Sequence, residues 1–178
     1  MNIVIYNGST LKGNMFKIQQ VLVGCLESQH NVEIIDSFVS PCKNCGYCGK
    51  YGRCCLKDLP IEKLEKADAI ILLSPIFFFG FSAKTKAFLD RLYAYRLSGK
   101  ILTGIITSGS SAQSPYCGID LIYEVFIRIS EYCGCSYSDL LHFVTEDSLI
   151  NIDSDKVKEF VKVLEGTYDK VKKSVKGC

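Results

Sequence analysis

Apolar and polar positions along the chain follow two periods in turn. Ile3, Val4, Ile5 and Tyr6 form a short β-branched run that meets Asn7, Gly8 and Ser9, the pattern of a buried strand ending in a turn. Over residues 13–27 the apolar positions Met15, Ile18, Leu22, Cys25 and Leu26 step by three and four, which predicts an amphipathic helix. Residues 32–35 predict a second strand. Residues 37–60 show no clear period, and a stretch of that length without structure inside a compact domain is usually functional. After a short helix around 61–66, residues 69–73 are apolar on both parities, as in a strand covered on both faces, and a loop follows over 74–82. Ser82 is placed to cap a helix running to about residue 95, because its hydroxyl can accept an unpaired first-turn amide. Residues 101–107 and 137–144 read as strands. Leu121, Ile122, Val125, Phe126 and Ile129 give one more helical face, and Val157, Phe160, Val161, Leu164, Tyr168, Val171 and Val175 a long last one.

The order βαβαβαβαβα predicts a parallel sheet with helices on both faces, since parallel neighbours require a crossover and right-handed crossovers dominate. A flavodoxin-like α/β three-layer sandwich, with a five-stranded sheet of order 2-1-3-4-5, fits that count. Ligands then sit beyond the carboxyl ends of the strands, between the first and third. With 178 residues the chain is expected to be a single domain, 1–178, carrying a cysteine-rich loop at 41–56. A composition of 48% apolar and 22% charged residues excludes a disordered chain. The net charge of +2 supplies neither the basic stripe of a nucleic-acid binder nor a strongly acidic surface, so no nucleic-acid partner is expected. The most apolar stretch, 69–81, is broken by Ser74, Pro75 and Gly80, so no membrane span is expected either. The first residues lack the basic start and apolar run of a signal peptide, which points to the cytoplasm and to reduced cysteines.

Three loops then carry candidate chemistry. Residues 7–14 combine small residues, the hydroxyls of Ser9 and Thr10, Lys12, Gly13 and Asn14 at the entry to a helix. Unpaired N–H groups and the positive end of a helix dipole suit a phosphate there, and without GxxxxGK[ST] or GxGxxG a monophosphate fits better than a nucleoside triphosphate or pyrophosphate. In residues 74–82, Phe77, Phe78, Phe79 and Phe81 stand beside Pro75 at the expected binding edge. Aromatic walls with a few backbone polar groups suit a large flat heterocycle such as isoalloxazine, although each single Phe is better read as core or subunit contact. Residues 107–114 are small and polar, able to offer N–H donors to the ring's carbonyl edge.

Gly8-Ser9-Thr10 with Gly13-Asn14, the run 67–71, Ser74-Pro75-Ile76-Phe77 and the helix ending Lys86-Ala87-Phe88-Leu89-Asp90-Arg91 together resemble the NADPH-dependent FMN reductase group of flavodoxin-like proteins. The likeness in motifs covers about the first half of the chain. It implies a noncovalent FMN bound through Ser9, Thr10, Lys12, Gly13, Asn14 and Met15 at its phosphate. Pro75, Ile76, Phe77 and Phe78, with Ser108, Gly109, Ser110 and Gln113, are implied at its ring. It also implies NADH or NADPH as hydride donor, and a homo-oligomer, dimer or tetramer. Electrons would pass to a quinone, a free flavin, another small acceptor or a redox protein. The flavin carries the bond chemistry, so no side-chain acid, base or nucleophile is required and no catalytic residue is assigned.

Five of the ten cysteines fall between Cys42 and Cys55, and Cys25, Cys117, Cys133, Cys135 and Cys178 are scattered. Cys42, Cys45 and Cys48 are spaced C-x2-C-x2-C, with Cys54 and Cys55 following, and Gly46, Gly49 and Gly52 give the backbone freedom to wrap. Four thiolates can hold a [4Fe-4S] cluster or a zinc ion, and the same residues can equally be plain thiols. The motif is similar to that of iron-sulfur flavoproteins, which implies a candidate cluster on Cys42, Cys45, Cys48 and Cys54, with Cys55 turned inward. His30 and His142 stand apart from every motif and read as surface or core residues. Two rivals stay open: a flavodoxin-type electron carrier, and a thiol or zinc sensing module built on the cysteines.

Overall fold

Side chains on both parities of the central strands are buried, so each strand serves two cores. The computed structural model describes residues 1–95, 97–145 and 152–176. Its elements run β1 (Asn2–Asn7), α1 (Asn14–Leu26), β2 (Asn31–Ile35), α2 (Tyr47–Tyr51), α3 (Ile61–Lys66), β3 (Ala69–Phe77), β4 (Gly80–Phe81), α4 (Ala83–Leu92), β5 (Ile101–Ser108), α5 (Ile119–Cys133), β6 (Ser136–Val144) and α6 (Ser154–Lys176). The five long strands are parallel in the order β2-β1-β3-β5-β6, which is the expected 2-1-3-4-5 arrangement once the short β4 is set aside. Ile3, Ile5, Ala69, Ile71, Leu73, Ile101 and Ile105 face α1 and α6, where Ile18, Leu22, Val157 and Leu164 are buried. Val4, Tyr6, Ile70, Leu72, Leu102 and Ile106 face the opposite layer, where Leu64, Phe88, Leu92, Ile122 and Phe126 are buried. The Val175 side chain and Cys178 lie outside the described residues. No helix among the described residues is long and apolar enough to cross a membrane.

Two elements depart from expectation. The third strand does not stop at Leu73: β1 ends with Asn7 opposite Leu73, while Ser74 and Pro75 continue to pair with Ile106 and Thr107 of β5. Proline is confined to sheet edges, and Pro75 lies in the part of β3 that has outrun its β1 neighbour. Beyond it, Ile76 and Phe77 pair antiparallel with Phe81 and Gly80, so the presumed loop is a tight hairpin. The second departure is α2, a five-residue helix inside the cysteine loop, bounded by Gly46 and Gly52 with φ of 69° and 65°. Those glycines start and stop a helical turn, and Gly49 lies within it.

Candidate functional site

The loop after β1 is fixed from beneath by hydroxyls. Gly8 N donates to Leu73 O at 2.8 Å, and a Cβ on Gly8 would stand 1.7 Å from Thr85 Oγ1. The Ser82 hydroxyl donates to Gly8 O at 2.7 Å, Thr85 Oγ1 to Ser74 Oγ at 2.9 Å, and Ser74 Oγ to Pro75 O at 3.0 Å. Each hydroxyl thus directs its one proton along a chain joining β1, β3 and the start of α4. Ser82 also caps α4, accepting from Thr85 N. Asn7 shapes the turn above, accepting from Ser9 N at 2.9 Å and donating to the buried Gln19 at 2.7 Å.

Of the residues expected at the phosphate, Ser9 turns its hydroxyl back onto Leu11 O at 3.1 Å, and the Lys12 ammonium lies 5.8 Å from the Phe16 ring centroid. The Met15 side chain is buried in the core, so only its backbone is offered to the loop. The amides of Thr10, Lys12 and Gly13 have no acceptor among the described residues, and Gly13 enters α1 with no side-chain cap and no acidic residue in the first turn. Behind this turn sits a cation that the sequence did not suggest. Lys84 is 6% exposed, and its ammonium donates to Ser9 O at 3.1 Å and to Asp36 O. Desolvation lowers its pKa from the usual lysine value, and it forms no ion pair among the described residues. The unpaired amides and the helix N-terminus favour an anion at this turn, and the ammonium behind Ser9 adds positive charge to its back.

At the next strand ends the backbone is presented more than the side chains. Phe78 and Phe79 have φ of 49° and 66°, the left-handed pair that a tight hairpin turn demands but that non-glycine residues adopt at a cost of about 1 kcal/mol each. Phe78 is 97% exposed, and Phe79 is pressed against Gly118, where a Cβ would meet Phe79 Cα at 2.7 Å. Phe77 is exposed too, while Phe81 packs on Phe126. Beyond β5, Gly109 and Gln113 are exposed and Ser110 half-buried. Ser108 holds this turn from below: its hydroxyl donates to Ser110 O at 2.6 Å, and His142 Nε2 lies 2.7 Å from the same oxygen. With the Ser108 proton used, the imidazole donates through Nε2, and burial lowers the His142 pKa from the ordinary histidine value. Cys117 Sγ lies 3.3 Å from Ser108 Oγ. His142 therefore does not stand apart in space; the β5–β6 register brings Ile106 opposite His142, beside Ser108.

The cysteine loop is anchored at its base and open at its tip. Val39 and Leu59 are buried on either side of it. Between them the fully buried Arg91 donates to Leu56 O at 2.9 Å, to Ser40 O at 3.4 Å and to Asp58. Burial alone would raise the Asp58 carboxyl, but hydrogen bonds from Ser40 and Arg91 hold it well below the usual carboxylate range. Cys54 is half-buried, and its charge would interact with the Arg91 guanidinium. Cys55 is exposed and faces outward, the reverse of the expected orientation, with its Sγ 3.4 Å from Cys45 Sγ. The Tyr47 amide and the Cys55 thiol both lower the Cys45 thiol below its ordinary value. Cys42 Sγ accepts from Asn44 N at 3.4 Å, and Cys48 is half-buried on α2. Among the described residues, no three His, Cys, Asp or Glu side chains converge on a point that could hold a metal ion. Away from the phosphate loop, a groove of about 1080 Å³ runs between α4 and α5, lined by Leu89, Tyr93, Val125, Ile129 and Tyr132 and reaching Cys42.

Residues 1–121 match the sequence model of the family described as NADPH-dependent FMN reductase. An iron-sulfur flavoprotein from Archaeoglobus fulgidus is 30% identical over 135 residues, 68% of this chain and 67% of that protein. Among solved structures, a candidate quinone reductase from Klebsiella pneumoniae superposes with a TM-score of 0.69 at 16% identity, covering 93% of this chain and 83% of its own. Flavodoxin 1 from Bacillus cereus superposes with a TM-score of 0.61 at 16% identity, covering 92% of this chain and 96% of its own. At those identities the two structures establish the flavodoxin-like fold.

Proposed function

The chain belongs to the NADPH-dependent FMN reductase family, and from that premise we propose that it is an FMN-dependent oxidoreductase carrying electrons from NADH or NADPH to a quinone, a free flavin or another small acceptor. The observation that carries this reading is the anion cradle at the reversal of strand order: the amides of Thr10, Lys12 and Gly13, which have no acceptor among the described residues, backed by the buried Lys84 ammonium. The amides and hydroxyl of Thr10 and the entry to α1 would hold the phosphate. The backbone of Pro75, Ile76 and Phe78 and the turn from Gly109 to Gln113 would border the ring. Bound FMN supplies hydride acceptance and stepwise electron release. This chain supplies orientation: the hydroxyl relay under Gly8 and the His142–Ser108 pair fix two of the bordering turns before any ligand arrives. No side chain is assigned as acid, base or nucleophile.

A second copy of the chain completes this reading as a homo-oligomer, supported by the exposed Phe77, Phe78 and Tyr116, and the cytoplasm is its proposed compartment. The relative's name raises a cluster on Cys42, Cys45, Cys48 and Cys54. The donor types suit one, but the side chains do not gather as it requires, so no electron step is routed through it.

Titrating FMN into the purified protein tests the proposal. One FMN per chain should bind with quenched fluorescence, and NADH or NADPH added without air should then bleach the visible flavin bands. Protein that takes up no FMN overturns the proposal. Protein that binds FMN but stays yellow with both nucleotides leaves an electron carrier instead.

A further inference from the structure

The cysteine loop holds an arrangement that neither the phosphate site nor a four-thiol cluster uses. Cys45 and Cys55 lie ten positions apart, on either side of α2, yet their sulfurs are 3.4 Å apart and both residues are exposed. The two ends of that segment are turned toward each other by identifiable causes. Gly46 and Gly52, both left-handed, reverse the chain at each end of α2. Arg91 pins Leu56 O at 2.9 Å, which fixes the chain immediately after Cys55, and the chain bends at Cys55 itself. Cys55 thereby meets Cys45 at the surface, while Cys54 before it is half-buried.

We propose that Cys45 and Cys55 are a redox-active dithiol that closes to a disulfide by exchange with small accessible disulfides. In the first step one of the two thiols loses its proton, and its sulfur attacks a small disulfide RSSR. A mixed disulfide forms, the RS–SR bond breaks, and one thiolate leaves to take up the released proton. In the second step the other thiol attacks the protein sulfur of that mixed disulfide, forming Cys45–Cys55 and releasing the second RSH. Two protein thiols are oxidised and one small disulfide is reduced to two thiols. The sulfurs must close from 3.4 Å to a bond length of about 2 Å. The segment between Cys45 and Gly52 has no fully buried residue, so closure requires chiefly its own helical turn to rearrange. Closing the bond removes Cys45 from the set Cys42, Cys45, Cys48 and Cys54, so a disulfide and a thiolate cluster on those residues exclude each other. The proposal stands independently of flavin binding.

The test treats protein prepared free of iron with oxidised glutathione, followed by alkylation in denaturant and digestion with trypsin without reductant. Two of the ten thiols per chain should be lost, and peptides covering residues 44–50 and 54–57 should appear joined, separating again with dithiothreitol. The joined species should persist in Cys48→Ser and Cys54→Ser and vanish in Cys45→Ser. In Cys55→Ser the first step has no successor, so a stable glutathione adduct should accumulate on Cys45. Ten thiols still alkylatable after treatment, or a joined species that survives in Cys55→Ser, overturns the proposal. FMN uptake by the same variants, expected unchanged, reports separately on the flavin site.

Discussion

The loop after β1 and the cysteine loop are held in opposite ways. In the first, the contacts lie directly under the functional backbone: Gly8 is clasped between Leu73, Ser82 and Thr85, and Lys84 reaches Ser9 from behind. In the second, every strong contact is at the base, through Val39, Leu59, Asp58 and Arg91, while Cys42, Cys45 and Cys55 stand exposed at the tip. A loop fixed along its length can bind an anion without reorganising, because its ordering entropy is lost on folding rather than on binding. A loop fixed only at its feet keeps its thiols close in space and free to change partners. The difference predicts that similar substitutions in the two loops have very different consequences.

The largest effect is expected at Gly8. Adding one methyl group places a carbon 1.7 Å from Thr85 Oγ1 and 3.0 Å from Leu73 O, so both the side-chain relay and the strand end must move. Gly8→Ala should lower stability to urea by about 3 kcal/mol, the upper range of overpacking, and should abolish FMN retention. A loss below about 1 kcal/mol would mean that the hydroxyl relay yields easily, and the contrast between the loops would fail.

The parts of this architecture that were legible in the sequence are those set by local pattern. Both-parity apolar runs marked the central strands because parallel strands bury both faces, and Ser82 announced α4 because capping needs only one hydroxyl beside a helix start. What could not be read depends on long-range placement. Ser74 and Pro75 look like a turn unless one knows that β5 extends past β1. Lys84 and Arg91 lie on an amphipathic helix where charge ordinarily means solvent, and only the packed structure shows that each is buried against backbone carbonyls from other loops. The Ser108–His142 contact joins residues 34 positions apart. In the loop after β1 the small residues and the helix start were legible, whereas the Ser9 hydroxyl folding onto Leu11 O and the Lys12 ammonium lying 5.8 Å from the Phe16 ring centroid are local packing that no spacing announces.

The next effect is expected at the foot of the cysteine loop. Arg91→Met keeps the apolar stem but strips Leu56 O, Ser40 O and Asp58 of their donor. Asp58 is partly exposed and water can take over one partner, so the expected loss is about 2 kcal/mol rather than the 3 to 5 of a fully buried broken pair. Protease cutting after Lys43, Lys50 and Arg53 should accelerate in this variant while FMN uptake persists. Acid should loosen the same foot in the wild type. Asp58 is depressed in the folded chain, so its contribution is present above the ordinary aspartate value of about 4 and is lost as pH falls below it. If cutting in Arg91→Met is unchanged, the loop owes its position to Val39 and Leu59 alone.

The smallest effect sharpens the comparison most, because it repeats the first substitution in the other loop. A methyl group added at Gly46 would have no heavy atom within 4 Å, so Gly46→Ala meets no obstacle; the whole cost is its φ of +69°. An L-residue in that region loses about 1 kcal/mol, borne where the chain enters α2 between Cys45 and Cys48. Two results can therefore be separated in one variant. Urea denaturation should show the small loss, and FMN affinity should remain within twofold of wild type, since Gly46 lies in the loop whose anchors are at its base. The same variant should slow disulfide closure between Cys45 and Cys55, because the left-handed residue is what turns the chain back toward Cys55. A large loss of FMN affinity would show that the two loops are coupled through a path the hydrogen bonds do not reveal, and the division of labour drawn between them would be withdrawn.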